Sequence, residues 1–253
     1  MHKGMRLGKL APKVDHRTLK LASYIDELKL PVIPPKVLWG NKVRVWPMFL
    51  NDKIGDCTIA GAAHMVETWD INVGKGFVMT EADVLGAYSY VSGFNNLTGA
   101  NDNGAVELDV LNFWRKVGIG GHHINAYTAV NMKSERDARL AIWMFGGLYI
   151  GLDLPITAQD QTIWDVPSQS DLKFGDGAPG TWGGHAVNIT GFDDKYVHLV
   201  TWGKEKLATW AFYHAYCDEA YGVVSKEWVS THGVTPSGFS YNDLLSDLDL
   251  VTR

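Results

Sequence analysis

The sequence predicts an α+β domain, a helical half followed by an antiparallel β-sheet or barrel half, and three observations carry that prediction. Apolar residues recur at helical spacing in several segments before residue 147. Short β-type runs separated by turn residues follow. A chain of 253 residues, 46% hydrophobic and 20% charged, can bury a sizeable core without covalent staples.

Taken in order, residues 1–42 read as an N-terminal arm, with a helical pattern over 19–28 and then an extended path imposed by Pro31, Pro34 and Pro35. The domain proper spans 43–230. Its first helix begins at Cys57, with Asp56 as the expected N-cap, and the small apolar run to Trp69 suits a buried central helix. Thr80 caps a second helix over 80–90, with Glu81 and Asp83 in the first turn, where the dipole favours acids. A Gly- and Asn-rich loop at 93–104 leads to an amphipathic helix over 106–117, which stops before Gly118, Gly120 and Gly121. Ser134 caps another over 134–145. Residues 148–152, 186–192 and 196–202 read as strands, 208–221 as a return to helix, and 223–229 as a closing strand. A polar tail occupies 231–253.

The totals exclude several function classes. A formal net charge of -5 with interspersed signs offers no basic stripe for phosphates, so nucleic acid is not an expected partner. Cys57 and Cys217 lie in unrelated settings without CxxC spacing, which implies neither a disulfide framework nor a zinc site. His122 and His123 are adjacent, point to different sides and have no ligand-spaced acid or thiol, so the expected metal set is none. The basic segment 1–14 has no apolar core and no run of about 18 apolar residues occurs, so no membrane partner is expected. A cytoplasmic location follows as the expectation, with a virion-associated place as the alternative.

The chemistry centres on Cys57. A cysteine in the first turn of a helix has its thiolate favoured by unpaired amides, while the neighbouring Asp56 opposes a second anion, so a cationic base is needed. Among nine histidines, His185 stands out because it follows Gly183 and Gly184 and opens an apolar strand, a rigid place beside a cleft with room for a ligand. His64, two helical turns beyond Cys57 and ~10 Å away, reads as a core histidine. Cys217 reads as core.

A helix-starting Cys followed much later by Gly184-His185-Ala186-Val187, a hairpin and Trp202-Gly203 resembles the papain-like cysteine peptidases, collinear over roughly residues 43–229. Asn51 stands six positions before Cys57, where the family has an oxyanion-binding Gln, and Glu67 stands where papain-like helices often carry a buried acid. Thr80-Glu81-Ala82-Asp83-Val84-Leu85 is similar to the family's Leu-Ser-Glu-Gln-Glu-Leu helix start, and Asn103-Gly104 to its Asn-Gly-Gly substrate-binding turn. The signature departs from the family's Cys-Gly-Ser-Cys-Trp, reading Ile54-Gly55-Asp56-Cys57-Thr58 here. The third triad residue, Asn in the family, falls on Val200 if the Trp-Gly pair is aligned and on Thr201 if the spacing from His185 is kept.

The resemblance implies a papain-like fold with a cleft between the Cys57 helix and the His185 strand. It implies Cys57, His185, Asn51 and Thr201 as catalytic residues, Gly104, Gly184 and Trp202 as substrate-binding residues, and no cofactor. The implied activity is a thiol hydrolase acting on a peptide, acyl or thioester substrate through a covalent thioacyl intermediate. Two alternatives stand beside it: an acyltransferase that delivers the acyl group to an amine, and an inactive structural or binding component, for example of a phage particle. The arm offers a surface for an assembly partner or a cover for the cleft.

Overall fold

In the computed structural model, described for residues 4–225 except 27, 28, 31, 78 and 169, and for Trp228 and Asn242, one antiparallel sheet separates two hydrophobic cores. The strands are β1 (Val37–Leu38), β2 (Ala126–Ala129), β3 (Leu148–Leu154), β4 (Gly183–Phe192), β5 (Tyr196–Thr201), β6 (Lys204–Thr209) and β7 (Cys217–Val224). They are ordered β2-β7-β3-β4-β5-β6, with β1 pairing to the far end of β4. Along β3 the side chains alternate: Leu148, Ile150, Leu152 and Leu154 enter one core and Tyr149 enters the other, as period-2 geometry requires. One core packs against α4 (Glu135–Phe145) and α5 (Trp210–Tyr216). The other holds α1 (Cys57–Asn72), α2 (Glu81–Ser92) and α3 (Glu107–Lys116).

The central helix is buried almost throughout, from Cys57 to Asp70. It lies close on the sheet because its middle is small: a side chain at Gly61 would come within 3.2 Å of the Tyr149 ring. The Tyr149 hydroxyl donates to the Thr58 carbonyl at 2.7 Å, tying the first turn of α1 to β3. Thr80 and Asp83 form a reciprocal capping box on α2, and Ser134 caps α4, both as the sequence predicts.

Four elements differ from the sequence reading. Residues 19–28 do not form a regular helix: only a short 3-10 turn, Leu21–Tyr24, occurs, and 27 and 28 lie outside the described residues. The segment 208–221 divides into the end of β6, the short helix α5 capped by Thr209, and most of β7. The stretch 217–224 mixes Asp218 and Glu219 with apolar residues and shows no clean period, so tertiary pairing with β3 and β2 decides that it is strand. β4 starts at Gly183, and the strand predicted for 223–229 begins earlier and ends at Val224, with 226, 227 and 229 outside the described residues. Asp56 makes no side-chain cap bond. Most of the tail, 231–253, also lies outside the described residues.

Candidate active site

α1 presents Cys57 as its first residue, and β4 runs directly past it: the Ala186 N–H donates to the Cys57 Sγ at 3.4 Å. His185, the preceding residue, is fully buried, and its Nε2 shares a 2.7 Å hydrogen bond with the Thr201 hydroxyl. Pairing of β4 with β5 sets Asn188 opposite Val200, and a register shift between Ile189 and Gly191 accompanies the bend of the hairpin. Of the two sequence candidates for this position, Thr201 therefore meets the imidazole and Val200 does not. Trp202 stacks on His185 with ring centroids 4.5 Å apart and planes 16° from parallel. Its place depends on a two-residue hairpin in which Trp202 and Gly203 both take positive φ, 46° and 66°, the geometry that matches strand twist between β5 and β6.

Asn51 is buried and its Nδ2 donates to the Asp56 Oδ1 at 3.1 Å, so the amide and the acid next to the thiol are one unit. Burial pushes the Asp56 carboxyl up to about 8, against the lowering effect of the Asn51 bond. It is therefore mostly a neutral acid at pH 7. The thiol itself is pushed up to about 12, first by burial and further by Asp56, while the Ala186 and Gly8 N–H groups oppose the shift. Burial thus outweighs the helix start as long as Cys57 stays covered.

The cover is the chain's own N-terminal segment. Trp202 Nε1 donates to the Arg6 carbonyl at 3.3 Å, and Leu7 lies against Gly183. Gly8 passes between Gly55 and Gly104 so closely that a side chain at Gly8 would reach to 1.8 Å from the Gly55 carbonyl oxygen, and one at Gly104 to 2.0 Å from that of Gly8. The Lys9 N–H donates to the Gly184 carbonyl at 3.1 Å, Ala105 N–H to the Gly8 carbonyl at 2.8 Å, and Leu10 N–H to the Ala105 carbonyl at 3.0 Å. Gly104 and Gly184, expected as substrate-binding residues, therefore flank an extended backbone, and Cys57 and His185 are both wholly covered.

Arg6 anchors the segment to Asp102 at 2.9 Å, and Asp102 also accepts from Tyr88 and from the Gly55 N–H. The sequence offers the arm as a cover for the cleft but does not name the residues that make these contacts. His64 is a core residue whose Nε2–H donates to the Pro47 carbonyl at 2.8 Å, and burial holds its pKa down to about 4. Cys217 is buried, and His122 faces Asp70 at 3.8 Å. No helix among the described residues is long and apolar enough to cross a membrane.

No protein-family model matches the sequence, and no curated protein matches it. Solved structures do match. Xylellain, a cysteine protease from Xylella fastidiosa, superposes with a TM-score of 0.66 at 14% identity, covering 88% of this chain and 97% of its own. Digestive procathepsin L 3 of Tenebrio molitor gives a TM-score of 0.60 at 12% identity, covering 85% of this chain and 76% of its own. The Carica candamarcensis cysteine protease CMS1MS2, solved with E-64, gives 0.52 at 13%, with 76% and 99% covered. The α+β architecture, with five α-helices and a seven-stranded antiparallel sheet among the described residues, is thus the papain-like fold.

Proposed function

We propose that this chain is a papain-like thiol hydrolase of peptide or acyl substrates, acting through Cys57 and His185. The observation that carries the reading is the assembly around the imidazole: Nε2 bound to Thr201 at 2.7 Å, Trp202 stacked on its face, and the next residue's N–H on the Cys57 sulfur. With Nε2–H donating to the Thr201 hydroxyl, Nδ1 is the nitrogen that takes the thiol proton. The thiolate attacks a carbonyl, and the oxyanion meets the Cys57 N–H and the amide of Asn51. His185 then returns its proton to the leaving group, and water releases the acyl group from sulfur.

The carboxyl of Asp56, kept neutral by burial, spares the thiolate an adjacent negative charge and holds Asn51 in place through the 3.1 Å bond. Catalysis requires the N-terminal segment to leave, because the thiol it covers is protonated. Once the cleft is open, His185→Ala should slow alkylation of Cys57 by iodoacetamide and abolish hydrolysis of a fluorogenic peptide, while circular dichroism stays unchanged. An unaltered alkylation rate would mean that Cys57 and His185 do not act as a pair.

A second reading is favoured by one observation. Thr201 offers a rotatable hydroxyl where the family has an amide, a looser hold on the imidazole, which fits a catalytically silent binding or structural component. Under that reading Cys57 labels no faster than in the denatured chain, even with the segment displaced.

A further inference from the structure

Lys9 is the one residue of the covering segment whose side chain ends in a built polar pocket. Its Nζ lies 2.6 Å from Asp218 and 3.2 Å from Glu219, and it donates to the Leu10 carbonyl at 3.2 Å. The side chain is wholly buried. Glu107 faces the same charge from the first turn of α3, fully buried, with neither carboxylate oxygen hydrogen-bonded. Tyr221 fixes Glu219 by donating to its second oxygen at 2.9 Å. Gly151 forms the floor: a side chain there would come within 2.0 Å of the Lys9 Cε.

Three acids from two distant elements crowd one largely buried pocket, where burial raises the Glu107 and Glu219 carboxyls and the Lys9 cation opposes that rise. Burial by itself lowers the Lys9 pKa, yet Glu107, Glu219 and Asp218 together more than reverse it. Around the pocket the recognition is sequence-blind, because Gly184 and Ala105 bind only backbone, as an added strand is bound. Selectivity for a bound chain therefore falls to the side-chain pocket.

We infer that the pocket of Glu107, Asp218, Glu219 and Gly151 is a specificity subsite for a lysine side chain, filled in cis by Lys9, so that the substrate in trans is a peptide carrying lysine at that place. This rests on the hydrolase reading for the word substrate, but not for the binding.

The test uses the full chain carrying Lys9→Met. Loss of the buried cation should free the segment and raise the iodoacetamide labelling rate at Cys57, mapped by peptide mass, roughly ten- to a hundredfold. The peptide acetyl-Leu-Gly-Lys-Leu-amide should then protect Cys57, and the same peptide with norleucine for lysine should protect at least about tenfold less well. A labelling rate equal to the parent's, or equal protection by the two peptides, overturns the inference. Should Lys9→Met not fold, Asp218→Asn with Glu219→Gln in the Lys9-containing chain provides the second route, and failure of that variant to accelerate labelling also overturns it. Protection is read without turnover, so a silent protein that still selects the lysine peptide refutes the hydrolase reading alone. Turnover of both peptides at equal rates refutes the pocket alone.

Discussion

A threonine hydroxyl can orient an imidazole but lends it no charge. At Thr201 the 2.7 Å bond orients the His185 ring and Trp202 stacks on its face, but a hydroxyl can both donate and accept, so it holds the imidazole less firmly than the amide the family has there. Thr201→Val removes the only hydrogen-bonding group at that side chain and should lower thiol reactivity in the opened cleft by roughly tenfold, the worth of one buried hydrogen bond. Thr201→Asn, able to accept with a firmer amide, should raise it. The check is the pH dependence of Cys57 alkylation: if all three proteins give the same profile, Thr201 does not position the imidazole. Asp56 is the residue whose role changed most between sequence and structure. A carboxylate before a helix is a good cap by local rules, but here Asn51 takes one oxygen and burial neutralises the group.

At the scale of an element, α1 concentrates buried ionisable groups that set the pH dependence of stability. Burial pushes Glu67 up to about 8, alongside Asp56, and lowers His64 to about 4. Below its ordinary pKa of 6.5, His64 is protonated in the unfolded chain but not in the folded one, so its contribution is lost as pH falls from 6.5 towards 4. Between 6.5 and 8 His64 is neutral in both states. There Asp56 and Glu67 are ionised when unfolded and protonated when folded, so stability falls as pH rises. Glu67→Gln should flatten that slope and stabilise the protein at pH 8 by about 1–3 kcal/mol, measured by urea denaturation at pH 6.5 and 8. A slope identical to the parent's would show that Glu67 is ionised inside the fold.

For the molecule as a whole, the segment from Met5 to Leu10 joins walls that are far apart in the chain, since Ala105 and Gly184 bind its two edges. It closes the cleft and leaves the thiol covered, which makes accessibility of Cys57 a readout of this single docking event. Gly8→Ala places a methyl against the Gly55 carbonyl, where the unaltered chain already has backbone in contact. In the full-length protein this change should unseat the segment and speed alkylation of Cys57 by about tenfold or more, with the circular dichroism of the domain retained. Labelling as slow as the parent's would mean that another element covers the thiol.

Local chemistry was enough to place some of this molecule. The caps at Thr80 and Ser134, the buried helix starting at Cys57 and the strand carrying His185 follow from hydrogen-bonding and periodicity within a few residues of each site. Those same signals implied the α+β class, and the resemblance in Cys57, His185 and Trp202-Gly203 implied the fold later found. Tertiary structure alone decided the rest. Whether Val200 or Thr201 meets His185 depends on strand register, since a one-residue slip reverses which face a side chain occupies. Whether 217–224 is helix or strand depends on its partners in the sheet. The Lys9 pocket could not be read from any window of sequence: Lys9 and Asp218 are 209 residues apart, and Glu107 reaches them from a third part of the chain. An acid or a lysine at the surface and one in a dry pocket are the same letter, and only folding supplies the burial that turns their charges into a specific, mutually dependent site.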